Sequence, residues 1–143
     1  MTLLLNKKKA LPIRPQSSVL VIGPYSSYGS EQGGVGGKLS KEISRINGAE
    51  AAVAKGCGIA GTDRSGFAAA VAAVAKAETI VLALGADPTK EHESMDRLGV
   101  TLPAIQSELA LAVLGAAEAA AHPKKVVLVL FHWGEISRGR VCH

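Results

Sequence analysis

Four short apolar runs recur along the chain, and stretches with helical spacing separate them. The first run is Ser18-Val-Leu-Val-Ile-Gly23, closed by Pro24. It is β-branched and uninterrupted, and the Gly-Pro pair ends it, as expected of a strand buried on both faces. Residues 24–34 form a Ser-, Tyr- and Gly-rich loop. A helix over about 36–46 puts Leu39, Ile43 and Ile46 on one face, and Asn47-Gly48 supplies its stop. Residues 49–55 read as a short strand ending at Lys55-Gly56. Asp63 or Ser65 is expected to cap a second helix over about 65–77, whose alanines allow close packing. The third strand is Thr79-Ile-Val-Leu-Ala-Leu84, ended by Gly85, and a polar stretch runs from Ala86 to Gly99. Pro103 fits the first turn of a long helix over about 103–121. His122-Pro123 ends that helix, and Lys125–Phe131 is the fourth strand.

The order β-α-β-α-β-α-β predicts a parallel sheet with helices on both faces, over residues 18–137. Residues 1–17 are a leading segment and 138–143 a tail. Such sheets bind ligands beyond the carboxyl ends of their strands. The candidate site loops are therefore 24–34, 56–63, 86–99 and 132–137.

Composition narrows the function classes. Of 143 residues, 48% are hydrophobic and 20% charged, which excludes a disordered polyelectrolyte. The 23 alanines suit helices laid tightly on a sheet. Five aromatic residues are too few for base-stacking platforms. The net charge of +4 gathers partly at the ends, in Lys7, Lys8, Lys9, Arg14, Arg138 and Arg140. These read as solvated termini, so no nucleic-acid partner is expected. Cys57 and Cys142 are far apart and read as free thiols, and the four histidines have no metal-ligand spacing. His122 suits a helix C-terminus, where a histidine meets the dipole. Leu3-Leu4-Leu5 precede the lysines, the reverse of a secretory signal, and no apolar run is long enough for a membrane helix. As written, the chain shows no export address and would stay cytoplasmic, but its localisation is left open; no membrane partner, metal or cofactor is expected.

Two nucleotide motifs fail on their spacing. Gly33-Gly-Val-Gly-Gly-Lys38 lacks a phosphate loop's first glycine, because position 32 is Gln, and Leu39 stands where Ser or Thr is needed. A dinucleotide pattern begun at Gly34 and Gly36 meets Leu39 at its third glycine. No GxSxG elbow is present.

The informative stretch is residues 85–106, GADPTKEHESMDRLGVTLPAIQ. Asp87, Glu91, Glu93 and Asp96 crowd together beside Lys90 and Arg97, just after a strand that reads as central. Crowded carboxylates raise one another's pKa and an adjacent Arg lowers it. Such a segment can hold one carboxyl as an acid and keep another ionised for proton transfer. It also reads as a solvated charged loop, and both readings stand at this point.

This stretch resembles the C-terminal domain of glycoside hydrolase family 3, most closely the β-xylosidase branch. The pattern G-x-D-x-T-x-E-x-E-x-x-D-R followed by L-P-x-x-Q is met by Gly85, Asp87, Thr89, Glu91, Glu93, Asp96, Arg97, Leu102, Pro103 and Gln106. Leu3–Asn6 with Leu11-Pro12, Val19–Pro24 and Lys55-Gly56-Cys57 resemble further family segments, in order. The resemblance implies a three-layer α/β/α sandwich with a mainly parallel sheet, packed against a separate (β/α)8 barrel. It also implies retaining hydrolysis of β-linked glycosides, which needs a nucleophile and an acid/base. Glu93 aligns as the acid/base, with Glu91 the runner-up. Asp87, Asp96, Arg97 and Trp133 are implied as substrate-binding or loop-anchoring residues.

The family's nucleophile is an aspartate on the barrel, a fold of about 250 residues that 143 cannot hold. The chain is therefore expected to be a fragment or split subunit, incomplete at its C-terminus and inactive alone. Its expected partners are a β-linked oligosaccharide or aryl glycoside and a barrel on the same or a companion polypeptide. Only Tyr25, Tyr28 and Trp133 could offer aromatic faces to a sugar from the site loops. Two alternatives remain: an inactive remnant that binds carbohydrate or a partner protein, and a nucleotide-binding α/β domain.

Overall fold

A computed structural model describes residues 10–26, 39–85 and 101–131. The elements are β1 (Val19–Ile22), α1 (Leu39–Asn47), β2 (Ala52–Ala54), α2 (Phe67–Val74), β3 (Thr79–Gly85), α3 (Ala104–Glu118) and β4 (Lys125–Phe131). The strands form one sheet in the order β2-β1-β3-β4, and every pairing is parallel. β1 and β3 are the inner strands. Every residue of both is buried, because helices cover the two faces of a parallel sheet.

Alternation along the strands sorts the core into two layers. Leu20, Ile22, Ile80, Leu82 and Leu84 point to one face, where they meet Ala70 and Val74 of α2 and Ile105, Leu109 and Val113 of α3. Val19, Val21, Val81 and Ala83 point to the other, where Leu39 and Ile43 of α1 pack. The expected three-layer sandwich is thus observed. Leu109 and Val113 are fully buried, and each such side chain contributes about 1.5–3 kcal/mol by leaving water. β4, one of the two outer strands of the described sheet, is paired with β3 along all seven residues and only half buried.

Three local expectations need correction. Ile46 is 73% exposed, whereas Ser40 and Asn47 are the buried positions of α1. The rotation of this short helix is set by polar contacts. Asn47 Nδ2 donates to Ser17 O at 2.9 Å, and Ser44 Oγ accepts from Ala51 N at 2.9 Å. Neither Asp63 nor Ser65 caps α2: Gly66 holds the N-cap position without a side-chain cap bond. Asp63 Oδ1 instead accepts from Ser65 N, two residues on, in an Asx turn. α3 ends at Glu118 with Ala119 as its C-cap, so His122 lies exposed beyond the last turn. The stop after α1 is as expected, since Gly48 adopts φ 73° and donates to Ser44 O.

Candidate functional site

Because all four strands run parallel, their carboxyl ends share one edge of the sheet. After β1 the chain moves outward to β2, then crosses to the other side of β1 to enter β3. The strand order reverses between β1 and β3, which makes their carboxyl ends the topological switch point where open α/β sheets take ligands. The segment 86–100 connects Gly85, at the end of β3, to Thr101, just before α3. The described rim of this edge consists of Gly23–Ser26, Lys55–Gly66 and Thr101–Gln106.

Each rim segment is held by contacts between elements distant in sequence. Gly23 turns the chain out of β1 at φ 123°, and Tyr25 N donates to Ala83 O at 3.3 Å. Tyr25 is 3% exposed and stacks on Phe131 at the end of β4, with ring centroids 4.9 Å apart and planes 10° from parallel. It is therefore a core residue bracing the edge and presents no face to a sugar. Arg64 grips Glu108 of α3 with two parallel bonds, Nε to Oε2 at 2.7 Å and Nη2 to Oε1 at 2.9 Å. Both groups are about half exposed, so the pair steers the 56–66 loop more than it stabilises the fold. The side chain of Gln106 is fully buried and ties Gly85 to Ile59.

Glu93, Glu91, Asp87, Asp96, Arg97 and Trp133 all lie outside the described residues, as do Tyr28, the glycine-rich 33–38 stretch and Cys142. Gly85, Leu102, Pro103 and Gln106 of the same sequence pattern are described. They place the two ends of the acidic segment at the carboxyl edge of an inner strand and the start of α3. Pro103 is the N-cap of α3, one position earlier than expected, and its carbonyl accepts from Gln106 N and Ser107 N. The contacts of Arg64, Glu108 and Gln106 went unassigned in the sequence reading. Among the described residues no three His, Cys, Asp or Glu side chains gather as metal ligands.

Two titratable groups on the rim are shifted. Hydrogen bonds from Ser65 hold the exposed Asp63 carboxyl below its usual range. Burial pushes the Cys57 thiol up to about 11, against a smaller opposing pull from Lys55. Cys57 packs in the core with Leu20 and Leu109 and is a structural thiol. At pH 8 its alkylation by iodoacetamide is expected to run about a hundredfold slower than that of an exposed cysteine, because the thiolate is the nucleophile. Peptide-resolved labelling checks this, and the rate should climb only as pH nears the shifted pKa.

The fold and the edge define a class: a parallel α/β sandwich in which an acidic segment follows an inner strand at the switch point. The match to the glycosyl hydrolase family 3 C-terminal domain covers residues 1–138, and the chain belongs to that family. It is 37% identical to Beta-D-xylosidase 1 of Arabidopsis thaliana over 142 residues, covering 94% of this chain and 18% of that protein. It superimposes on a family 3 β-glucosidase from Bifidobacterium adolescentis with a TM-score of 0.73 at 25% identity, covering 92% of this chain and 20% of that one. A family 3 exo-β-xylosidase, XlnD, solved with a xylobiose aziridine activity-based probe, gives a TM-score of 0.69 at 30% identity. That likeness covers 87% of this chain and 16% of the xylosidase. The chain thus spans about a fifth or less of each of these proteins.

Proposed function

We propose that this domain supplies the general acid/base, Glu93, for retaining hydrolysis of β-linked glycosides, with the nucleophile coming from a (β/α)8 barrel outside these residues. Glu91 is the second candidate. The observation that supports this reading is where the acidic segment begins. It leaves an inner strand at Gly85, on the ligand-binding edge, and it carries the family pattern through Gln106. A carboxyl group there can protonate a leaving glycosidic oxygen and later activate water, provided a second carboxyl stands about 5–5.5 Å away. The rim bonds at Gln106, Arg64 and Tyr25 leave its described part little freedom, as an acid that must meet a partner domain's substrate requires. The substrate is a β-xyloside or β-glucoside, by analogy with the named activities of the relatives.

The test uses nitrophenol release from aryl β-xyloside and β-glucoside. The chain alone is expected to show no turnover. General acid–base catalysis is worth about 10²–10⁴-fold, well short of the 10⁶-fold or more of an enzyme. A hybrid in which this chain replaces the matching part of Beta-D-xylosidase 1 is expected to hydrolyse the xyloside. Turnover by the chain alone would contradict the two-part site. A folded but inactive hybrid would remove the acid/base reading.

A further inference from the structure

Gly85 is the last residue of β3, and its backbone has a specific problem. Along a strand, successive backbone groups point alternately to the two neighbours. Ala83 presents its carbonyl toward β1, where Tyr25 N donates to it. Gly85, two residues on, presents its N–H and C=O to the same side. β1 no longer runs there, because it pairs with β3 only as far as Ile22 opposite Leu82 and the chain then turns out at Gly23. A buried donor and a buried acceptor would be left unpaired at the point where the acidic segment begins.

Gln106 fills that position. Its Oε1 accepts from Gly85 N at 2.9 Å, and its Nε2 donates to Gly85 O at 2.8 Å. The exchange of both bonds with one residue satisfies the donor and the acceptor together, as an antiparallel partner residue would. The second proton of Nε2 goes to Ile59 O at 2.6 Å, in the loop after β2. The side chain is fully buried, and its three partners among the described residues are all main-chain groups.

We propose that Gln106 is a positioning residue: it joins both ends of the segment 86–100 to each other and to the loop after β2. One end is Gly85, which it bonds directly. The other is its own backbone, tied through Gln106 N to Pro103 O at 3.0 Å. Only a primary amide of this length carries the required acceptor and two donors. A carboxylate at this position faces two carbonyls with no proton to give them, and a methionine leaves both carbonyls and the Gly85 N–H bare. The consequence for catalysis rests on the proposed acid/base role of this segment; the bonds themselves do not.

Amide exchange in the 143-residue chain tests the inference. In the unaltered chain, the Gln106 side-chain protons and the Gly85 N–H should be protected together. Side-chain protons exchanging as freely as those of an exposed glutamine would overturn it. In Gln106→Met, Gly85 protection should fall about tenfold or more while Val81 and Leu82 keep theirs. A uniform loss along β3, or none, would reduce Gln106 to an ordinary core residue and end the proposal. In the xylosidase hybrid, the same substitution should lower kcat about 10–100-fold with KM within about threefold, as displacement of a reacting group does. A rise in KM alone would contradict a positioning role. An inactive hybrid with Gln106 intact would count against the acid/base reading and leave the exchange result to decide on Gln106.

Discussion

Glu93→Gln in the xylosidase hybrid is expected to lower kcat by about 10²–10⁴-fold on a xyloside with a poor leaving group. The amide cannot protonate the departing oxygen, so glycosylation of the nucleophile slows. A nitrophenyl xyloside needs little such help, because its leaving group departs unprotonated. On that substrate the loss should move to the second step, where water attacks without a general base. The covalent intermediate then accumulates, and a burst of nitrophenol should precede slow turnover. Azide needs no deprotonation, so it should restore turnover and yield a xylosyl azide of retained configuration. Glu91→Gln is expected to cost less than about tenfold and to show neither burst nor rescue. If the two variants exchange behaviour, the acid/base role passes to Glu91. If neither shows rescue, the segment does not supply the acid/base.

The second large effect falls on stability. A Cβ added at Gly23 would lie 2.2 Å from the Ala83 carbonyl oxygen and 3.0 Å from Leu84 Cδ2, at a backbone φ of 123° that side chains rarely adopt. Both the turn and the neighbouring strand are backbone, so neither yields as a flexible side chain would. Strain at such a φ costs about 1–3 kcal/mol and overpacking about as much again. Gly23→Ala is therefore expected to destabilise the domain by about 3–5 kcal/mol, a large share of the 5–15 kcal/mol that holds a typical domain together. For a chain of this size the melting temperature should fall by roughly 10–15 °C. Gly61→Ala is the control. Its φ is 99°, yet among the described residues no atom beyond its chain neighbours lies within 4 Å of the added Cβ, so only the strain remains and about 1–3 kcal/mol should be lost. Equal losses at the two sites would show that the close approach to Ala83 contributes nothing.

Much of the fold was legible from local pattern. All four strands stand where the apolar runs put them, with β3 extended by Gly85 and β2 trimmed to Ala52–Ala54. Short runs bounded by Gly and Pro are self-limiting signals, because the breaker residues act through their own backbone. Helix positions held, but helix details did not. Ile46 has the spacing of a core residue and is exposed, because Asn47 and Ser44 rotate α1 to satisfy Ser17 O and Ala51 N. Periodicity sees apolar side chains and misses a polar contact made to another segment. Tyr25 failed for a related reason: its place on a site loop suggested a sugar platform, and Phe131 of a distant strand covers it.

The candidate site divides the same way. The candidate catalytic carboxylates were found through the order of residues along one continuous stretch, Gly85 to Gln106, which carries the family pattern whatever surrounds it. The sequence alone thus determined the strands and helices, the family and the segment that carries the candidate carboxylates, all of which are encoded within short windows of chain. The tertiary structure decided the strand order β2-β1-β3-β4, and with it the switch point at which that segment begins. It also decided what Gln106 does, through bonds to residues 21 and 47 positions away. Those features depend on where β1 stops beside β3 and which backbone groups are then left without a neighbour. Only the packed chain brings such groups into contact.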